Sequence, residues 1–275
     1  MSSQWHGGKG SDSRISDLNA YRDGYDKIFK KMKREPEYKF RSNLVILQGD
    51  THSTSVSYQN IYNLPNGCDT VHVGDVGLGF GKLPFSKKTA MDFLDRYNRL
   101  CSERDINCYL IRGNHDATYS DIWDSKWSNV FMVGDHAYAK FPNGKTVIMV
   151  AGGVSVDRCV RTDGIDYWSG EITNDIENVA ECDISFSHDC PEKFNHKTST
   201  LHERFQWYID RDPTLLADCA KQREMMTGIL GRAKVKNMCY GHYHNHMVEE
   251  HDGVYGRCLN INELFEFDAN KTYTL

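Results

Sequence analysis

The sequence contains no apolar run that approaches the roughly 20 residues of a membrane-spanning helix, and its mean hydropathy is −0.61. Residues 1–22 also lack the apolar stretch of a secretory signal. We therefore expect a protein without a membrane partner. Glycine (22 of 275), proline (6) and charged residues (26%) are too few for a collagen-like or a disordered chain, so the composition indicates a globular protein.

Cysteine pairs of the Cys-x-x-Cys type are absent, although the chain has nine cysteines between Cys68 and Cys258. Their absence argues against a thiolate zinc site and a thioredoxin-like redox site. Three of the cysteines, Cys108, Cys182 and Cys239, lie in apolar runs and are expected to be small buried side chains kept reduced. We therefore predict a cytoplasmic protein, in a host cell if the chain is phage-encoded.

Charge is distributed unevenly along the chain, whose net charge is −5. Residues 1–42 carry a net +4, and the other 233 residues carry a net −9. The acidic balance argues against broad nonspecific binding of nucleic acid, but not against a local phosphate site. We divide the chain into a basic extension, residues 1–40, with a helix from about Leu18 to Arg34, and a single domain, residues 41–275.

Short apolar runs alternate with amphipathic segments from Asn43 onward, which favours an α/β architecture. The amphipathic segments are 86–104, with Ser86 as its N-cap, and 214–232. The runs that predict strands are 43–48, 70–73, 108–111, 131–133, 137–141, 146–150, 183–186, 235–240, 245–250 and 254–260.

Metal-binding residue types follow five of these strands, most of them directly after a glycine. The five segments are Gly49-Asp50-Thr51-His52, Gly74-Asp75, Gly113-Asn114-His115-Asp116, Ser187-His188 and Gly241-His242-Tyr243-His244. Any one of them is an ordinary loop sequence, because Asp and Asn form turns and a histidine is often a satisfied loop residue. Five in the same context indicate a ligand site at the carboxyl ends of the strands.

The ordered set GD-x-H, GD, GNHD, H and GH-x-H resembles the calcineurin-like metallophosphoesterase superfamily over residues 43–246. The resemblance implies a four-layer α/β/β/α sandwich of two packed mixed sheets flanked by helices. The segment Gly152 to Arg161, with Trp168 and Glu171 downstream, resembles a group of small bacterial and phage members. Leu78 and Gly79 replace the Asp and Arg that many relatives carry, which argues against the phosphoprotein Ser/Thr phosphatase branch.

The resemblance implies a site for two divalent transition-metal ions. One ion would be held by Asp50, His52 and His244, the other by Asn114, His188 and His242, and Asp75 would bridge both. Mixed carboxylate, amide and imidazole ligands also suit borderline divalent metals on chemical grounds alone. Manganese is our first expectation, with iron, zinc and nickel as alternatives.

Four further residues are candidates for catalysis or for binding the substrate. By resemblance His115 faces the substrate phosphate and acts as the acid for the leaving oxygen. Asp116 either orients that imidazole or caps a turn. Arg158 and Arg161 are candidates for binding the phosphate as bidentate donors, against the alternative of structural salt bridges to Asp157 or Glu171.

Three functions remain open from the sequence. The first is a metal-dependent phosphoesterase acting on phosphate mono- or diesters, with a nucleotide or a nucleic-acid end among the candidate substrates. The second is a metal-dependent DNA or RNA nuclease of the same superfamily. The third, ranked last because every metal position and His115 are present, is a non-catalytic interaction module.

Overall fold

The computed structural model describes residues 36–79, 87–174, 176–194 and 202–275. Across these residues the chain forms twelve strands and five α-helices. The strands are β1 (Tyr38–Lys39), β2 (Leu44–Gln48), β3 (Asp69–His72), β4 (Asn107–Ile111), β5 (Val130–Val133), β6 (His136–Lys140), β7 (Thr146–Val150), β8 (Ile184–Ser187), β9 (Asn237–Tyr240), β10 (Met247–His251), β11 (Val254–Cys258) and β12 (Leu264–Asp268). The helices are α1 (Thr54–Asn63), α2 (Lys87–Glu103), α3 (Ser120–Trp123), α4 (His202–Ile209) and α5 (Leu215–Ala233), with a 3₁₀ turn at Arg158–Val160.

The strands assemble into two mixed sheets. One sheet has five strands in the order β12-β2-β3-β4-β5, in which β2 to β5 run parallel and β12 pairs antiparallel with β2. The other has seven strands in the order β1-β6-β7-β8-β9-β11-β10. Its central strands β7, β8, β9 and β11 run parallel, so in both sheets several strands end at the same edge.

Alternate residues of each central strand face two different hydrophobic cores, as the pleat of a strand requires. Val45 and Leu47 of β2 belong to the core between the sheets, whereas Ile46 faces the core beneath the helices α1 and α2. In the other sheet Met149 faces the core between the sheets and Ile148 faces the core beneath α5. The molecule is therefore the α/β/β/α sandwich that the sequence led us to expect.

The helices bury the faces that their sequence periodicity predicts. Helix α2 buries residues spaced three and four apart: Ala90, Phe93, Leu94, Tyr97, Leu100 and Cys101. Helix α1 has no comparable apolar stripe, and the side chain of Ser53 caps it by accepting the N–H of Val56. The predictions of an N-terminal helix at 18–34 and of an N-cap at Ser86 lie outside the described residues.

The predicted burial of three cysteines is confirmed. Cys108, Cys182 and Cys239 are buried, and each has a free thiol. Pro142-Asn143-Gly144 turns the chain between the antiparallel strands β6 and β7. Among the described residues, the structure contains no helix that combines the length and the apolarity needed to cross a membrane.

Candidate metal centre

The five strand-end segments meet at the shared edge of the two sheets. Asp50, Asp75 and Asn114 follow the parallel neighbours β2, β3 and β4, while His188 follows β8 and the His242–His244 pair follows β9. The two sheets bring these loops together because β2, β3 and β4 end where β8 and β9 end. The side-chain contacts described below join the loops of one sheet to those of the other.

Two carboxylates and two imidazoles form the first group of donors. One ligand atom from each of Asp50, His52, Asp75 and His244 lies within 4.8 Å of the others. The Nε2 atoms of His52 and His244 are 2.7 Å apart, and the His244 Nε2 lies 3.3 Å from Asp50 Oδ2. Asp50 Oδ1 and Asp75 Oδ2 are buried and accept no hydrogen bond. Buried carboxylate oxygens without a donor are costly unless a cation binds them, so the group fits a divalent ion.

A second group of donors consists of Asn114, His188 and His242. Asn114 Oδ1 lies 2.7 Å from His188 Nε2, and the ring centroids of His188 and His242 are 4.9 Å apart. A Cβ built on Gly153 would lie 3.2 to 3.5 Å from all three side chains, so they surround one face of that glycine. The sequence set and the structure therefore agree that these three residues come together.

The tautomer of His188 is set by the backbone. Its Nδ1 lies 2.9 Å from the carbonyl oxygen of Val73, which can only accept, so Nδ1 carries the proton. In the neutral ring Nε2 then carries the lone pair, and it lies 2.7 Å from Asn114 Oδ1. A backbone carbonyl behind the imidazole is the usual support of a metal-ligating histidine.

Asp75 lies between the two groups. Its Oδ2 is 3.6 Å from His52 Nδ1, and its Oδ1 is 3.4 Å from His188 Nε2. Burial raises the pKa of the Asp75 carboxyl. The charges of His188, His115 and His52 lower it by more than burial raises it, so the pKa lies well below its ordinary value. Asp75 is therefore ionised at neutral pH and presents one oxygen to each group.

The loops hold these side chains in unusual backbone conformations. His52, Asp75, His242 and His244 all have φ between 50° and 69°, in the left-handed region that residues other than glycine rarely adopt. A Cβ on Gly113 would lie 2.0 Å from Asp75 Oδ1, so only glycine permits this approach. Strained residues of this kind concentrate at functional sites, because the surrounding structure must stabilise them.

His115 borders the cluster on its open side. It is half-buried, its ring centroid is 5.1 Å from that of His52, and its backbone N–H donates to Asp75 Oδ1 at 2.9 Å. Burial lowers the pKa of His115 to about 4, against the opposing charge of Asp75. Asp75 and His188 are fully buried, whereas the side chain of His244 is 40% exposed, so a substrate can approach from the side of His115 and His244.

Asp116 is engaged with the backbone of the neighbouring loops. Its two carboxylate oxygens accept four N–H groups, from Val76, Gly77, Leu78 and Gly113, at 2.9 to 3.2 Å. These bonds tie the loop after β3 to the loop after β4. They match the turn-capping interpretation of Asp116 and give its carboxylate a positioning function for the loops that carry Asp75 and Asn114.

The two candidate arginines have different surroundings. Arg158 donates to Asp212 at 2.5 Å, to Asp218 at 2.5 Å and to Thr214 at 2.9 Å, so these acidic residues account for its position without a phosphate. Arg161 forms a bidentate pair with Asp157 at 2.6 and 2.5 Å, which is the salt bridge that the sequence left open. The charges of Arg161 and Asp157 both reach His115 and affect its pKa.

Two residues that the sequence did not assign to the site support it from behind. Ser155 accepts a hydrogen bond from the Asn114 side chain and donates two to Glu171, and all three residues are buried. Burial raises the pKa of Glu171 to about 8, while the Ser155 donors and the charge of Arg158 favour its carboxylate form. Sequence gives no signal for this contact, because fifteen residues lie between Ser155 and Glu171.

Fold and site together define a metal-dependent phosphoesterase: an α/β/β/α sandwich with Asp, Asn and His donors converging at its strand ends. The calcineurin-like phosphoesterase family model matches residues 15–246, and the chain belongs to this family. No match was found among curated proteins.

The matches among solved structures are of low sequence identity and low structural similarity. A candidate 5′-nucleotidase from Staphylococcus aureus, solved in complex with alpha-ketoglutarate, is 11% identical with a TM-score of 0.40, over 80% of this chain and 48% of that one. A cold-active protein-tyrosine phosphatase of a psychrophile, Shewanella sp., is 12% identical with a TM-score of 0.33, over 80% and 72%. A phosphopantetheinyl hydrolase from Mycobacterium tuberculosis is 12% identical with a TM-score of 0.34, over 80% and 91%. Similarity at this level adds nothing to the functional assignment.

Proposed function

We propose that the protein hydrolyses phosphate mono- or diesters with the help of two divalent ions. The observation that carries the proposal is the position of Asp75, whose two oxygens face two separate groups of donors. Asp50, His52 and His244 would hold one ion, and Asn114, His188 and His242 the other. When bound, such a pair of ions lowers the pKa of a water and neutralises charge on the phosphoryl oxygens.

The residues of the chain give the site its electrostatics. Asp50 and Asp75 are buried side by side, and both have a lowered pKa. For Asp50, burial raises the pKa, while the hydrogen bond with His244 and the charge of His188 lower it. Two carboxylates that stay ionised inside the protein supply the negative charge that two cations require. Histidines complete the set and favour a transition metal, with manganese as our first candidate.

His115 is the proposed acid for the leaving oxygen. Its ring lies beside His52 on the open side of the cluster, while its backbone is fixed by Asp75. The low pKa of His115 belongs to the protein without substrate. The negative charge of a bound phosphate raises the pKa of a neighbouring imidazole, so the substrate itself promotes the protonated form that donates to the leaving group.

Arg161 is the better of the two arginine candidates for the phosphate. Its charge reaches both His115 and Asp75. Asp157 binds Nε and Nη2 of Arg161 and the carbonyl oxygen of Asp166 accepts from Nη1, so contact with a phosphate would require the guanidinium to exchange one of these partners. Arg158 is bound by two aspartates and is not needed in this scheme.

The site alone does not select a substrate, so the test is a screen. Purified protein supplied with Mn²⁺ is assayed on p-nitrophenyl phosphate, bis-p-nitrophenyl phosphate, cyclic nucleotides, and labelled single- and double-stranded DNA and RNA. We expect hydrolysis of at least one small phosphate ester, lost with chelator and in the Asp75→Asn variant. Cleavage of nucleic acid alone would favour the nuclease, and no hydrolysis with both ions bound would favour the non-catalytic module.

We further propose that the protein is related to small bacterial and phage members of the family and that it is cytoplasmic. The free, buried thiols of Cys108, Cys182 and Cys239 support a reducing compartment.

A further inference from the structure

The amide of Asn114 is attached to two other buried side chains. Its Nδ2 donates to Ser155 Oγ at 2.8 Å, and the same hydroxyl donates to Glu171 Oε2 at 2.6 Å. The backbone N–H of Ser155 donates to the other oxygen, Glu171 Oε1, at 2.7 Å. Asn114, Ser155 and Glu171 are each 1% exposed, so water does not compete for these groups.

The direction of these bonds decides which way the amide points. A hydroxyl has one proton, and Ser155 gives it to Glu171 when Glu171 is a carboxylate, the form that a cation bound beside Asn114 favours although burial raises the pKa of Glu171 to about 8. Ser155 Oγ can then only accept, and the group of Asn114 that faces it must be the NH₂. The carbonyl oxygen of Asn114 is thereby turned toward His188 Nε2, 2.7 Å away. Positive charge bound beside Asn114 would further favour the carboxylate form of Glu171.

The loop that carries Ser155 and Glu171 is bonded to Arg112, which lies between the end of β4 and Asn114. Arg112, at the end of β4, accepts the N–H of Gly152 at 2.9 Å, and its guanidinium donates to the carbonyl of Glu171 at 3.0 Å. The N–H of Gly153 donates to that same Glu171 carbonyl. Both ends of the loop are therefore held beside Arg112, two residues before Asn114.

We propose that Ser155 and Glu171 are positioning residues that orient the Asn114 amide so that its oxygen, and not its NH₂, faces the ion shared with His188 and His242. The proposal rests on the two-ion function above. A reversed amide would direct N–H donors at a cation, which removes one ligand and adds repulsion. Amide orientation at this position is thus a requirement for the second ion.

Two substitutions release the amide in different ways. Ser155→Ala removes the acceptor, so the side of Asn114 that faces away from His188 no longer selects the NH₂ over the oxygen. Glu171→Gln offers Ser155 only one oxygen in place of two, so one of the two Ser155 donors meets an NH₂. The hydroxyl can then turn its proton toward Asn114 and favour the reversed amide. Glu171→Asp keeps the carboxylate and should bind the ion better than Glu171→Gln.

The experiment is a calorimetric titration of the full chain with Mn²⁺ alone, without substrate. We expect two ions on the wild-type protein. Ser155→Ala and Glu171→Gln should weaken one of the two by about 10- to 100-fold, as loss of an outer partner of a metal ligand commonly does, and leave the other unchanged. Ser185→Ala is the matched control, because Ser185 is a buried serine of β8 that contributes no hydrogen bond to Asn114.

A double-mutant cycle separates orientation of the amide from a general structural effect. If Ser155 acts through Asn114, Ser155→Ala should cost nothing further in an Asn114→Ala background. An equal loss of Mn²⁺ affinity in both backgrounds would overturn the inference, as would native affinity for both ions in Ser155→Ala. Fewer than two ions on the wild-type protein would instead overturn the proposed function. If Glu171→Gln fails to fold, Ser155→Ala and the cycle give the answer.

Discussion

Asp75 accepts the backbone N–H of His115 through the same oxygen, Oδ1, that lies 3.4 Å from His188. The residue between the two groups of donors thus also fixes the backbone of the proposed acid. A change at Asp75 would therefore alter metal binding and His115 together, whereas a change at His115 leaves Asp75 its other contacts. The two residues have to be tested with different measurements.

Asp75→Asn is predicted to weaken both ions, because it removes the charge that faces both groups of donors. The amide oxygen can still accept the N–H of His115, so the fold should be retained. Asp50→Asn should cost mainly the ion held with His52 and His244. Titration with Mn²⁺ compares the two variants, and native affinity for two ions in Asp75→Asn would show that Asp75 does not bridge.

His115→Asn is predicted to keep both ions and lose rate. A positioned acid contributes about 10²- to 10⁴-fold, and the loss should be larger for alkyl phosphates than for p-nitrophenyl esters, whose leaving oxygen needs little protonation. A residue that only binds phosphate would slow both substrates alike. Rates on the two substrate types, with metal content measured in parallel, make the distinction.

Two results would remove His115 from this function. Loss of metal in His115→Asn would make it a ligand or a support for one. Full rate on an alkyl ester with both ions present would show that no acid acts at this position.

Substitution of Arg161 should affect KM, whereas substitution of Arg158 should affect only the free energy of unfolding. Arg161→Gln should raise KM for a phosphate monoester while metal content stays near wild type, and it should also lose some stability because it removes the bidentate pair with Asp157. Arg158→Gln should lower the free energy of unfolding by about 2 kcal/mol, since it removes charged hydrogen bonds to Asp212 and Asp218. Urea denaturation and steady-state kinetics on both variants test the assignment, and a raised KM in Arg158→Gln alone would reverse it.

His72, a buried histidine that lies near the donor groups but is not one of the donors, predicts part of the pH dependence of stability. Burial lowers the pKa of His72 from 6.5 to about 4. Below pH 6.5 the unfolded chain therefore takes up a proton that the folded protein does not, and stability falls until about pH 4. The total is about 3 kcal/mol.

The control for this prediction is His72→Gln, which does not titrate and retains a polar group for Thr51, the neighbour of His72 Nε2 at 3.3 Å. Between pH 6.5 and 4, the free energy of unfolding should fall less in the variant than in the wild-type protein. Parallel curves would show that His72 does not cause the loss.

The donors could be predicted from the sequence because strands that end in glycine and a polar residue share an edge. Asp50, Asp75 and Asn114 each follow a buried strand, and the parallel order of β2, β3 and β4 places them side by side. Elements without such a local pattern were missed. Helix α1 has no apolar stripe, and β12 is defined by its pairing with β2, more than 200 residues away.

The partners of Arg158 and of Asn114 were not predictable for a different reason. Arg158 meets Asp212 and Asp218 only because the fold brings the 3₁₀ turn against helix α5. Ser155 accepts a hydrogen bond from Asn114 and donates one to Glu171, and these three residues are distant from one another in the sequence. Sequence gives the kinds of residue in a loop, whereas these contacts depend on how the loops pack.

The most direct test of the two-ion account is anomalous scattering from crystals of the protein loaded with Mn²⁺. The account predicts two peaks about 3.5–4 Å apart, one beside Asp50, His52 and His244 and one beside Asn114, His188 and His242, with Asp75 between them. A single peak, or none, would contradict the account. Hydrolysis of a phosphate ester that persists after exhaustive chelation would contradict it as well.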